Sequence, residues 1–306
     1  MADQFVTAVA TTPGPLQDAS RHGLVDRLRL AHRVLGVHYM MPATALWRIY
    51  ELEVVLDQLA SHGGRGLDVG CGDGRLAEVY LSGTRDVRWT GLEIDACDAE
   101  LARARGVYDQ VHHASATSIP EGDGSIDLAF ANSVLEHMPP LDAVLAEVAR
   151  VLVRGGRFAF TVPAPEMPGL LPRTRLLRRL GLHAAAVRYA AGVDRRIAHV
   201  NYLSAAEWDA RLGAVGLRVT RQVRYLSRRT LAWWARIAAV TGGLAWLATR
   251  GRLTPRQVQQ RTGMVDADRP LLGWIAWALL LPIVAWTGIE RAPREFAGLY
   301  VEAVRD

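Results

Sequence analysis

Along residues 24–59 apolar positions recur every three or four places, as at Leu46, Ile49, Leu52, Val55 and Leu59, and this period predicts helices. From residue 65 the texture changes. Short apolar runs at 65–70, 87–94, 126–131 and 157–162 read as strands, with helical stretches at 74–82 and 141–152 between them. Strands alternating with helices predict an α/β fold, a doubly wound and mostly parallel sheet covered on both faces. Beyond Pro163 a Pro- and Arg-rich segment, 164–200, reads as an insertion over the sheet with a helix at 183–192. Ser204 with Glu207 three places on forms a capping-box pattern ahead of a helix, and 217–226 follows as a strand.

From Thr230 onward the chain turns strongly apolar and carries six of its nine Trp. The 19-residue run Leu271–Ile289 has no charge and at ~1.5 Å per residue is long enough for most of a bilayer core, so it is expected to cross or embed in a membrane. The stretch 231–249 includes Arg236 and is expected to lie at the interface, which keeps the arginines of 250–269 inside. The competing reading is a pair of helices buried against the enzyme or a partner subunit. The expected division is therefore an arm and helix at 1–40, the α/β domain at 41–229 with its cap at 164–200, and an apolar, membrane-associated helical tail at 230–306, on the cytoplasmic face of the cell membrane.

Composition narrows the chemistry. The net charge of +5 suits acidic lipid, nucleic acid or a phosphorylated substrate. All 36 basic residues are Arg, which excludes Schiff-base lysine chemistry and a P-loop lysine. Cys71 and Cys97 lack metal-ligand spacing and fit a reducing cytosol, and residues 1–18 carry no signal-peptide pattern. His112 and His113 have no third ligand at metal spacing, so no metal site is expected.

The first strand runs into LDVGCGDGRLA, where Gly70, Gly72 and Gly74 allow a tight turn and let backbone N–H groups approach a ligand, with Asp68 expected to organise this cofactor-binding loop, the alternative being that it only braces the turn. Glu93, about 20 residues on at the end of the second strand, is placed to take a ribose hydroxyl pair. The stretch from Arg65 to Pro163, including GLEID, VLEH and RGGRFAFTVP, resembles the class I S-adenosylmethionine-dependent methyltransferases, bacterial type 11-like, with a Rossmann-like fold. The resemblance implies that S-adenosylmethionine is the cofactor, that LDVGCGDG faces its methionine part, and that Glu93 holds the ribose. It further implies that Asn132 and Ser133 line the sulfonium side. The family's adenine-contacting Asp is replaced by Ser115, so Ser115 and the backbone of Ala116 are expected to edge the adenine.

Transfer to a hydroxyl needs a base, for which His137, His199 and Tyr202 are candidates in that order. ANSV stands where amino-methylating relatives carry Asn-Pro-Pro-aromatic, which disfavours nucleic acid as acceptor. Seven Arg against one Asp between Arg173 and Arg196 suit a phosphate- or carboxylate-bearing acceptor or a solvated basic face, and the apolar tail suits a lipid-linked or amphiphilic small molecule. Two other functions compete. An NAD-dependent oxidoreductase would need a Gly where Gly70-x-Gly72 is followed by Arg75, and an inactive methyltransferase-like membrane scaffold would accommodate Ser115.

Overall fold

The computed structural model describes residues 24–38, 42–59, 63–84, 86–243, 270–287 and 295–306. Two helices, α1 (Leu24–His38) and α2 (Pro42–Leu59), precede the sheet. The sheet then grows through β1 (Gly64–Val69), β2 (Val87–Glu93), β3 (Gln110–His113), β4 (Ile126–Asn132) and β5 (Leu152–Pro163). Short α3 (Ala77–Tyr80), α4 (Ala96–Arg105) and α5 (Leu141–Val151) fall between these strands. The cap holds α6 (Met167–Leu170), α7 (Pro172–Arg179) and α8 (His183–Ile197). After it come α9 (Ala205–Ala214), β6 (Leu217–Ser227), α10 (Arg228–Ala238), α11 (Pro270–Thr287) and β7 (Phe296–Arg305).

The seven strands lie in the order β3-β2-β1-β4-β5-β7-β6. The five from β3 to β5 are parallel, and β7 runs antiparallel between β5 and β6. Reversal of strand order on either side of β1 and β4 opens a crevice at their carboxyl ends, where doubly wound sheets take ligands. Successive side chains of β4 alternate between the two faces: Leu128 and Phe130 enter the core under α2, whereas Ala129 and Ala131 face the core with α5 and α9. Local signals agree with the elements they start. Asp95 accepts the Asp98 N–H at 3.0 Å to cap α4, and Ser204 and Glu207 cap α9 reciprocally.

Three sequence expectations are corrected here. Residues 296–305 are a strand inside the sheet, so the chain beyond residue 230 is not a tail apart from the α/β domain but returns to complete it. The expected membrane span falls on α11, its last two residues lying outside the described set. Over the described side chains of α11, Leu280, Val284 and Thr287 are buried at helical spacing, and Thr287 hydrogen-bonds Tyr50 of α2. Packing on the domain, with the chain rejoining the sheet by Phe296, accounts for this apolar face. Among the described residues no helix is long and apolar enough to cross a membrane. The interfacial expectation for 231–249 fares the same way as far as Gly243: Leu231, Trp234 and Ala238 of α10 are buried, and 244–249 lie outside the described residues.

Candidate active site

The glycine loop leaves β1 with three left-handed residues, Gly70 (φ +75°), Gly72 (φ +57°) and Gly74 (φ +73°). Their surroundings differ. A Cβ at Gly70 would meet Val134 Cγ2 at 2.4 Å, whereas nothing lies within 4 Å of the same position at Gly72. The loop therefore packs tightly at its start and opens onto free space at its middle.

Glu93 closes one side of that space. Its Oε2 accepts the Gly72 N–H and its Oε1 the Asp95 N–H, each at 2.9 Å. A carboxylate has about four acceptor sites, so lone pairs on both oxygens are left for a ligand's hydroxyls. Beneath the loop Asp68 is buried, its Oδ2 accepting Tyr108 Oη at 2.6 Å and the hydroxyl of Tyr80 as well. Asp68 Oδ1 is buried with no hydrogen-bond partner. Burial pushes the Asp68 carboxyl up to about 6 against the opposing pull of the two tyrosine hydroxyls, with the charge of Glu93 adding to the rise. An orphaned acceptor, an open cradle at a glycine and a half-used carboxylate together fit a ligand that carries an ammonium group and a sugar diol, as S-adenosylmethionine does.

Across the crevice Ala114 N–H donates to the Glu93 carbonyl, which sets the following Ser115 and Ala116 beside the end of β2. Ser115 Oγ bonds Thr117 Oγ1 at 2.8 Å and accepts the Thr117 N–H, and Ala116 is buried. At the mouth of β4 Asn132 Oδ1 accepts Thr161 Oγ1 at 3.0 Å. Ser133 stands at φ +49°, a conformation that costs a non-glycine residue ~1–2 kcal/mol. What holds it there is a set of bonds from its N–H to Thr161 and from its hydroxyl to Glu51.

Beyond Ser133 three side chains converge. His137 Nε2 and His199 Nε2 each lie 4.0 Å from Glu136 Oε1, and the two imidazole centroids are 5.0 Å apart. His137 Nδ1 bonds the Ala198 carbonyl at 2.8 Å, and His199 Nδ1 bonds Tyr202 Oη at 3.0 Å while that hydroxyl donates to Asp194 at 2.8 Å. Burial pushes His199 down to about 3, helped by His137 and Arg48, so that ring is neutral at ordinary pH; the more exposed His137 is lowered as well, chiefly by desolvation. Burial likewise raises Glu136 to about 8, Glu51 reinforcing it and Arg48 opposing it. Val200 and Asn201 N–H groups donate to the Glu136 carbonyl, and Asn201 Nδ2 donates to the Leu135 and Met138 carbonyls. This stitching joins the β4 exit to the end of the cap.

Sequence reasoning thus named both histidines and Tyr202, and the structure brings them together. It missed Glu51, Arg48 and Tyr225. Glu51 of α2 is fully buried, pairs with Arg48, accepts Tyr225 Oη at 3.1 Å and anchors Ser133. Charged residues inside the otherwise apolar WRIYELEVV were the signal available for it. His112 and His113, by contrast, bond Glu121 and the Ile94 carbonyl, away from the cluster. Between α7 and α10 runs a groove of about 480 Å³ lined by Arg175, Arg179, Arg229, Trp233 and Arg236. It shares α6 with the cluster, since Leu170 lines the groove and Met167 Sδ lies 3.8 Å from Tyr202 Oη.

A methyltransferase-domain family profile matches residues 67–160. The chain is 30% identical over 225 residues to the 27-O-demethylrifamycin SV methyltransferase of Amycolatopsis mediterranei (strain S699), covering 70% of this chain and 75% of that protein. It is 36% identical over 115 residues to an O-methyltransferase of Penicillium expansum, of which it spans 41%. Among solved structures, the geranyl diphosphate C-methyltransferase of Streptomyces coelicolor A3(2), in complex with Mg2+, geranyl diphosphate and S-adenosyl-L-homocysteine, superposes with TM-score 0.50 at 15% identity over 83% of this chain and 78% of its own. The [4+2]-cyclase SpnF does so with TM-score 0.51 at 20% identity over 96% and 89%. At these identities the two structures share the fold alone.

Proposed function

The chain belongs to the class I S-adenosylmethionine-dependent methyltransferases, and on that premise we propose that it methylates a hydroxyl of an amphiphilic small molecule. The observation that carries the choice of oxygen is the pair of imidazoles at the β4 exit, His199 half-buried and His137 more exposed, whose Nε2 atoms converge beside Glu136 and whose basicity is lowered. Methyl transfer to carbon or to a neutral amine has less need of a proton acceptor; a hydroxyl requires one. O-methylation also agrees with the names of the Amycolatopsis and Penicillium relatives.

In this reading Glu93 receives the ribose hydroxyls on the lone pairs that Gly72 and Asp95 leave free, and Asp68 Oδ1 meets the ammonium of the methionine part. Gly70, Gly72 and Gly74 shape the cradle, Ser115 and Ala116 edge the adenine, and Asn132 and Ser133 border the sulfonium. When bound, S-adenosylmethionine supplies a methyl carbon attached to positively charged sulfur, an electrophile that needs no further activation. The remaining task of the chain is placement of the acceptor oxygen and removal of its proton at the cluster of Glu136, His137 and His199. Tyr202 orients His199 and does not touch the reacting atoms. The groove between α7 and α10, apolar at Trp233 and basic at five arginines, supports an acceptor with an apolar body and an anionic substituent.

The test is incubation of the full chain with methyl-labelled S-adenosylmethionine and fractionated small-molecule extracts, followed by locating the label by NMR. A methyl ether is expected, and a methyl ester would count against the hydroxyl. A methyl on carbon or nitrogen would remove the hydroxyl from the proposal, and failure of S-adenosylhomocysteine to bind in a calorimetric titration would remove the cofactor site itself.

A further inference from the structure

We propose that Glu136, His137 and His199 form a three-ligand site for a divalent cation of the zinc class, with an open position that takes the acceptor's oxygen. One ligating atom from each residue lies within 4.8 Å of the other two. Proximity alone would be weak evidence; the hydrogen bonding around the cluster adds to it.

The Ala198 carbonyl can only accept, so His137 Nδ1 carries the proton and Nε2 presents its lone pair. Tyr202 Oη spends its own proton on Asp194, so it accepts from His199 Nδ1–H, and His199 Nε2 is the lone-pair nitrogen as well. Histidine ligands of metal sites are typically held by such outer partners on the nitrogen that does not bind. The third donor points the same way. Glu136 is 2% exposed, and its Oε2 is buried without a hydrogen-bond partner. A buried carboxylate oxygen left unpaired costs on the order of 1–3 kcal/mol or more, and a cation is the partner that two imidazole lone pairs and a carboxylate have in common.

The donor set selects the ion. Two imidazoles and one carboxylate favour zinc, cobalt or ferrous iron over magnesium, and three protein ligands leave a coordination position for a substrate oxygen. Bonds of ~2.0–2.1 Å at tetrahedral angles place neighbouring ligand atoms ~3.3 Å apart, so the 4.0 Å spacings close by some tenths of an ångström on binding. Arg48 also faces the cluster, with its charge engaged by Glu51. The bonds from Val200 and Asn201 to the 135–138 backbone hold the two ligand-bearing segments together before an ion arrives.

Such an ion deepens the hydroxyl-methylation reading and rests on it. With both imidazoles engaged as ligands, coordination takes the place of an imidazole base: it acidifies the acceptor's O–H, whose proton passes to bulk water. The oxygen's electron pair then forms the new C–O bond as the carbon–sulfur bond breaks, and sulfur keeps that pair as a neutral thioether.

The experiment uses the full chain, freed of metal with a chelator and titrated calorimetrically with zinc chloride, cobalt chloride and magnesium chloride, with S-adenosylhomocysteine titrated in parallel. Expected are one zinc per chain, magnesium weaker by at least about a hundredfold, and zinc affinity lowered at least about tenfold in His137→Ala, His199→Ala and Glu136→Gln. His112→Ala should bind zinc as the parent does. X-ray absorption on the cobalt-loaded parent reads the same question without any variant, and two imidazoles in its first coordination sphere are expected. Zinc binding that survives all three substitutions, or a cobalt sphere without imidazole, overturns the proposal. Absence of zinc binding alongside intact S-adenosylhomocysteine binding removes the cation and leaves the methyltransferase reading standing, whereas loss of S-adenosylhomocysteine binding strikes that reading instead.

Discussion

Adding one methyl group at Gly70 and one at Gly72 should harm the protein in two different ways. Both residues are left-handed, at φ +75° and +57°, so alanine at either pays ~1–2 kcal/mol in the folded state. Loss of freedom in the unfolded chain returns ~0.4–1 kcal/mol of that. At Gly72, where a Cβ meets nothing within 4 Å, the net cost is therefore about 1 kcal/mol. At Gly70 the new Cβ would sit 2.4 Å from Val134 Cγ2, an overlap that adds ~1–3 kcal/mol and brings the total to about 2–4. Cofactor affinity should follow the reverse order, because the empty space at Gly72 is where the ligand is expected. Gly72→Ala should weaken S-adenosylhomocysteine at least about tenfold, or ~1.4 kcal/mol. Urea unfolding of the free proteins measures the first quantity and calorimetric titration the second. Combining Val134→Ala with Gly70→Ala should recover the overlap portion and leave the backbone portion. The reasoning is refuted if Gly72→Ala loses as much stability as Gly70→Ala, or if it binds the ligand as the parent does.

Three further outcomes are expected. Glu93→Ala removes a buried carboxylate that accepts two loop N–H groups, and should weaken S-adenosylhomocysteine by tenfold or more in the same titration. The Asp68 carboxyl is raised from 3.8 to about 6, so its protonated form stabilises the free protein below the ordinary value and that contribution is lost as pH climbs through about 6. Against Asp68→Asn, the free parent should therefore lose about 2 kcal/mol between pH 4 and 7, read by urea unfolding, and its affinity for the ammonium-bearing ligand should rise over the same window. Asn201→Ala cuts two bonds to the Leu135 and Met138 carbonyls and should cost about 1–3 kcal/mol, seen as a lowered urea midpoint.

The parts of the fold that were legible are those whose burial is written as uninterrupted apolar runs. β1, β2, β4 and β5 are central, parallel and covered on both faces, so nearly every position must be apolar. β3 escaped notice because it is an edge strand, and Gln110, His112 and His113 are tolerated where one side meets water. β7 escaped for a different reason. Gly298 and Glu302 break its apolar run, yet both are required by tertiary contacts: a Cβ at residue 298 would meet the Tyr225 ring at 2.3 Å, and Glu302 pairs with Arg157 and Tyr300. The apolar tail was read as membrane because hydropathy records water avoidance without recording the surface that replaces water, here partly the domain itself. The glycine loop and Glu93 could be read from spacing. The meeting of His137 with His199 could not, since the cap separates them in the chain and it is the bonds from Ala198, Val200 and Asn201 to the 135–138 segment that bring them together.

The register of the last two strands has a consequence for how such a chain can diversify. Ser227, where β6 ends, faces Phe296, where β7 begins, so everything between them leaves and returns through a doorway one ladder step wide, ~5 Å. In topology β6 and β7 are a hairpin, and residues 228–295 are its connection. Lengthening a connection whose ends are already pinned adds little closure entropy, about 0.6 kcal/mol for each doubling. The excursion can therefore be rebuilt, enlarged or exchanged while the ladder keeps its pairing, which lets the wall of the groove that α10 supplies change its tenant without retuning the cradle at the far end of the sheet.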